Sequence, residues 1–105
     1  MKIIRFDIIK ALIDRERRQS PSRGQTPDRR IAAWREEVDR ARWTGSNDLK
    51  ALFGRADFVG GGRVVFDVCG NNYRLVVQFN YSAGVAVVRF AGTHAEYDRV
   101  DVKKV

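Results

Sequence analysis

Between Val64 and Ala91 the side chains alternate in kind with a period of two, and no other feature constrains the fold of this chain so tightly. Val64, Phe66 and Val68 interleave with Val65, Asp67 and Cys69. Tyr73, Leu75, Val77, Phe79 and Tyr81 interleave in the same way with Arg74, Val76, Gln78 and Asn80. Neighbouring side chains of a strand point to opposite faces, so this period predicts strands rather than helix. Gly70-Asn71-Asn72 and Ser82-Ala83-Gly84 supply tight turns, and a third β-rich run follows from Val85 to Ala91. The three runs predict an antiparallel meander with one face packed and the other open.

The packed face needs a cover, and the first half of the chain provides one. Met1–Arg5 reads as a short strand, followed from about Asp7 to Arg17 by a helix carrying Ile8, Ile9, Leu12 and Ile13 at helical spacing. Ser20-Pro21-Ser22-Arg23-Gly24 has the signals of a loop, so a basic loop is expected at about 18–27. Thr26-Pro27 then reads as an N-cap with proline at the first helical position, opening a helix with Ile31, Trp34, Val38 and Ala41 on one stripe. Thr44-Gly45 ends it. Ser46 or Asn47 caps a short third helix containing Leu49, Leu52 and Phe53, and Gly60-Gly61-Gly62 is read as a hinge into the sheet. The fold class is therefore α+β: an N-terminal strand and helices packed on one face of an antiparallel sheet, in a single domain over 1–105.

Charge narrows the partners. Twenty Lys and Arg stand against 13 Asp and Glu, a formal net charge of +7, and this favours a polyanion such as nucleic acid. Cys69 is the only cysteine, which excludes an internal disulfide and a cysteine zinc cluster and fits a reducing compartment. No apolar run approaches the length of a membrane span, and Arg5, Asp7 and Lys10 interrupt the first apolar stretch as no secretory signal would. A cytoplasmic protein with no membrane partner is the expectation.

Arg63, Asp67, Arg74 and Gln78 fall on the open face by the same alternation, and Arg89 joins them if Phe90 packs inward. Such arginines make a positive platform for a phosphate backbone, or else isolated surface ion pairs. Arg63, Arg89, Gln78 and Lys50 are taken as contacts to such a backbone. The last strand leads into Gly92-Thr93-His94-Ala95-Glu96-Tyr97-Asp98, which sets the only histidine beside a carboxylate and a phenol. Breaking a phosphodiester without a metal requires a proton acceptor, a proton donor and cations for the charge that builds on phosphorus. His94 suits acid or base work, because histidine ordinarily titrates near pH ~6.5. Arg74 carries the forked guanidinium that grips non-bridging phosphate oxygens. Tyr97 donates a proton, stacks on a base or packs into the core. Glu96 acts as a base, orients His94 or pairs with an arginine. Trp34, on an apolar stripe, is assigned to the core; Trp43 invites a base-stacking reading; Cys69 reads as a small buried residue.

Three strings taken together resemble the HigB family of the RelE-like toxin superfamily: Gly92-Thr93-His94-Ala95-Glu96-Tyr97-Asp98, Val65-Phe66-Asp67-Val68-Cys69-Gly70-Asn71 and Tyr73-Arg74-Leu75-Val76-Val77. The spacing of Trp34, Trp43 and the final His-x-x-Tyr adds to the likeness, which runs from roughly Ile31 to Asp101. The resemblance implies a curved sheet with helices on one side and a concave RNA-facing surface. It also implies a type II toxin, a metal- and cofactor-independent endoribonuclease acting on mRNA, usually on the ribosome, and held inactive by a HigA-type antitoxin. By the same resemblance Arg74 matches the arginine of the family's Tyr-Arg-Leu-Val strand, and His94 and Tyr97 match its basic and phenolic residues after the last strand. The rival is a non-catalytic RNA- or ribosome-binding module on the same basic sheet.

Overall fold

The computed structural model describes all residues except Ser20, Trp43, Thr44, Arg55 and 69–71, and at 21–28, Ser46 and Leu52 it describes the backbone alone. The readings made at Trp43, Thr44, Cys69 and Gly70-Asn71 lie outside the described residues. Strand β1 (Lys2–Ile4) leads into helices α1 (Phe6–Gln19), α2 (Pro21–Arg40) and α3 (Ser46–Leu52). Four strands follow, β2 (Asp57–Gly60), β3 (Arg63–Val68), β4 (Tyr73–Asn80) and β5 (Val85–Thr93), and then a single-turn helix α4 (His94–Tyr97). The architecture is mixed α+β. Its sheet has the order β1-β5-β4-β3-β2, antiparallel except for β1, which lies parallel to β5.

The packing follows the two periodicities. Ile9, Leu12 and Ile13 of α1 and Ile31, Trp34 and Val38 of α2 repeat at helical spacing. They share one core with Val64, Phe66, Val68, Tyr73, Leu75, Val77, Phe79, Ala86 and Val88 of the sheet. Trp34 meets the Phe66 ring edge-on at 5.5 Å, as its place on the stripe predicts. A polar pair enters this core: the Tyr73 hydroxyl donates to Glu16 Oε1 at 2.6 Å, so the buried carboxyl group is not left without a donor.

Three features depart from the sequence reading. The basic loop expected at about 18–27 is replaced by helix, since α1 reaches Gln19 and α2 begins at Pro21. Proline is tolerated at a first helical position, where no N–H partner is needed. Strand β2 was not anticipated. Gly60, Gly61 and Gly62, all at positive φ, form the turn of a β2–β3 hairpin rather than a hinge. Finally, the face away from α1 and α2 is not bare. Val65 and Val76 are buried on it, and the segment after α4 returns far enough for Arg63 Nη2 to donate to the main-chain oxygen of the last residue, Val105, at 3.1 Å.

Candidate functional site

Strands β4 and β5 end together, with Tyr73 paired to Thr93 and Arg74 to Gly92. There Thr93 caps α4. Its hydroxyl accepts from the Glu96 amide at 3.2 Å, and the Glu96 carboxylate accepts from the Thr93 amide at 2.9 Å, a reciprocal capping box. A helix of one turn has almost no stability alone, so its orientation depends on such ties. A second tie comes from α1: Arg15 Nη1 and Nη2 donate to the two oxygens of Glu96 at 2.9 and 2.6 Å. The third is a hydrogen bond from the His94 amide to the Asn72 carbonyl at 3.0 Å.

These ties engage both oxygens of Glu96. The Arg15 guanidinium first, and the Thr93 amide second, hold its carboxyl below the usual carboxylate range. A carboxylate with both oxygens engaged and a lowered pKa is a poor proton acceptor. Of the roles open in the sequence, pairing with an arginine is the one this geometry displays, and the pair ties α4 to α1. Arg15, which the sequence reading passed over, lies 81 residues away, and no local signal announces it. The Thr93-x-x-Glu96 pattern, by contrast, is a capping signature visible in the sequence.

Arg74 is nearly buried, its side chain 11% exposed, and its Nε lies 3.0 Å from Asp67 Oδ1, its cross-strand neighbour. The guanidinium carbon sits 6.0 Å from the centre of the Tyr97 ring, at the outer reach of a cation–π contact. Tyr97 packs on Phe90, ring centres 6.3 Å apart. Burial, and then the negative charge of Asp57, push its phenol up, while Arg74 pulls the other way; the hydroxyl keeps its proton at neutral pH. His94 is half exposed, with Nε2 3.6 Å from Asp98 Oδ2. The i, i+3 spacing sets His94 and Tyr97 on the same side of α4. Arg74 and Tyr97 are thus brought together, with His94 one turn away at the same strand end, while Glu96 is turned toward α1.

The expected RNA contacts divide. Arg63 is paired with Gln78 across β3 and β4, and Arg89 donates to Gln78 Oε1 from Nε and Nη2 at 3.0 and 2.7 Å. These three form a row. Arg89 reaches it although Phe90 does not pack inward. A bulge between the Val77–Val88 and Val76–Phe90 pairs inserts Arg89 as an extra residue, so Phe90 and Arg89 both serve the face away from the core. Lys50 does not join the row. Its amine lies 4.9 Å from the Phe58 ring, and Phe58 is paired with Val64 on the helix-covered side. Among the described residues no group of three or more His, Cys, Asp or Glu is placed to hold a metal ion, and no helix is long and apolar enough to cross a membrane.

A family model for RelE-like toxic components of toxin-antitoxin systems, HigB_toxin, matches residues 28–100, which contain β2 to β5 and the whole strand-end cluster. The chain belongs to the HigB toxin family. No individual curated protein matches it. As a HigB-family toxin it has an antitoxin as its implied partner, and residues 28–100 carry Arg63, Arg74, Gln78, Arg89, His94 and Tyr97 alike.

Proposed function

We propose that this HigB-family protein is an endoribonuclease that cuts mRNA, on the ribosome, in the cytoplasm, and is silenced by a HigA-type antitoxin. The observation that carries the reading is the placement of a guanidinium, a protonated phenol and an exposed imidazole at one strand end: Arg74 lies 6.0 Å from the Tyr97 ring, and His94 stands on the same single-turn helix as Tyr97. These are the three kinds of group that metal-free phosphodiester cleavage uses.

In the proposed reaction the ribose 2′-hydroxyl attacks the adjacent phosphorus and passes its proton to an imidazole nitrogen of His94. The bond from phosphorus to the 5′-oxygen breaks, and the Tyr97 phenol donates a proton to that oxygen. The products are a 2′,3′-cyclic phosphate and a 5′-hydroxyl, and the imidazolium returns its proton to the phenolate through solvent. Arg74 faces the non-bridging oxygens, where negative charge builds. In the free protein Asp67 neutralises Arg74, so its pull on phosphate strengthens when RNA shields or displaces that carboxylate. Glu96 and Arg15 serve as positioning residues.

Expression of the wild type in a host lacking the antitoxin is expected to arrest growth and create new message 5′ ends. His94→Ala, which removes only a half-exposed side chain, is expected to fold normally and create none. RNA binding with growth arrest and no new ends for the wild type would instead favour the non-catalytic module.

A further inference from the structure

The cations on this face are not equivalent, and the difference lies in what holds them. Arg74 is held by a carboxylate. Arg89 is held by a neutral amide: Gln78 Oε1 takes its Nε–H and one Nη2–H, while Gln78 Nε2 donates to the Gly61 carbonyl at 2.9 Å in the β2–β3 turn. The amide is thus fixed at both ends, and the guanidinium is oriented without being neutralised. Its Nη1 edge is left unengaged. Arg63 stands beside it in the row, its Nη2 donating to the main-chain oxygen of the final residue, Val105, and its Nε buried with no partner. Among the described residues no carboxylate pairs with Arg89. Beside this row lies an open groove of about 800 Å³ lined by Gly61, Gly62, Gln78, Ser82 and Arg89 among others.

We infer that Arg63, Gln78 and Arg89 form a preorganised anchor for an RNA phosphate, separate from the reacting end. Gln78 acts within it as the positioning residue that aims Arg89. The inference rests on reading this face as an RNA surface, and it divides that surface into two parts. One end, at Arg74, Tyr97 and His94, is charge-compensated and carries the chemistry. The other end, four residues away along β4 or roughly 13 Å at the rise of a strand, keeps the charge of Arg89 and fixes the chain. Buried Val65 and Val76 lie between them, so one RNA strand touches both ends only by spanning several nucleotides. A guanidinium prefixed by a neutral acceptor loses little side-chain freedom on binding and keeps its whole Coulombic attraction for phosphate.

The decisive variant is Gln78→Glu. It preserves shape and the acceptor for Arg89, gives up the bond to the Gly61 carbonyl, and adds the negative charge that the site lacks. Binding of a single-stranded RNA with 2′-O-methyl groups, which cannot be cleaved, is followed by fluorescence anisotropy over a range of salt. The inference predicts that Gln78→Glu and Arg89→Ala each weaken binding at least about ten-fold. The salt dependence should lose about one phosphate contact, roughly 0.7 in slope. Gln78→Met, which releases Arg89 without neutralising it, should weaken binding less and leave the slope unchanged. Unchanged affinity and slope in Gln78→Glu, with the chain folded by circular dichroism, would overturn the anchor. That result leaves the nuclease reading to stand or fall on cleavage by His94→Ala. Conversely, Arg89-dependent binding by a wild type that cuts no RNA would keep the anchor and reject the nuclease.

Discussion

Replacing Glu96 by Gln separates the two roles a carboxylate beside His94 can have. The change removes the charge that Arg15 meets but keeps an oxygen that can accept from the Thr93 amide, so the helix cap survives. Side chains of the pair are 37% and 41% exposed, so solvent screens it and the range for exposed ion pairs applies. Two parallel hydrogen bonds place it at the top of that range, about 1 kcal/mol. For a domain of this size that is a fall of roughly 4–8 °C in melting temperature. The sign with pH follows from the lowered folded pKa of Glu96. A carboxylate depressed on folding contributes fully above its unfolded value, about 4.3, and loses that contribution as pH falls through the lower folded value. Urea unfolding of wild type and Glu96→Gln should therefore differ by about 1 kcal/mol at pH 7, and by progressively less on acidification below about pH 4. Arg15→Met should cost a similar amount, and the double variant should cost little more than either single one. Growth arrest by Glu96→Gln should persist. A stability cost that ignores pH, or a fully stable Glu96→Gln with no toxicity, would refute the reasoning and restore Glu96 as a base.

Two further predictions concern the frame that carries the site. Tyr73→Phe should cost about 1–3 kcal/mol in urea unfolding, because it leaves the buried Glu16 carboxyl oxygen without the phenol 2.6 Å away. Gly62→Ala should destabilise by about 1–2 kcal/mol or more: φ is +76° there, and an added Cβ would stand 2.7 Å from the Phe79 carbonyl oxygen.

What could be read from the sequence, and what could not, follows the reach of each interaction. The strand alternation from Val64 to Phe79 is local, and it assigned Val64, Phe66, Leu75 and Val77 to the core correctly. Parity failed at Phe90 because one inserted residue resets it, and a bulge leaves no mark in a run such as Val87-Val88-Arg89-Phe90. Strand β2 escaped notice because Phe58 and Val59 alone carry its apolar character, and its pairing to β3 supplies the rest. In the stretch read as a loop, Pro21, Gly24 and Pro27 are strong breakers locally, yet the α2 backbone runs through all three into the stripe of Ile31, Trp34 and Val38 packed on the sheet. At the site, residue types pointed to Arg74, His94 and Tyr97, but Asp67 as counter-ion, Arg15 as clamp and the withdrawal of Lys50 depend on contacts made in three dimensions.

The central claim is that a ribose hydroxyl, not water, breaks the phosphodiester at the Arg74–Tyr97–His94 end. The chemistry of the cut ends tests it most directly, read by ligation specific for 5′-hydroxyl ends in RNA from cells expressing the wild type and Arg74→Ala. The account predicts discrete ends bearing 5′-hydroxyls and 2′,3′-cyclic phosphates, lost in a folded Arg74→Ala. Ends bearing 5′-phosphates, or undiminished cutting by Arg74→Ala, would contradict it.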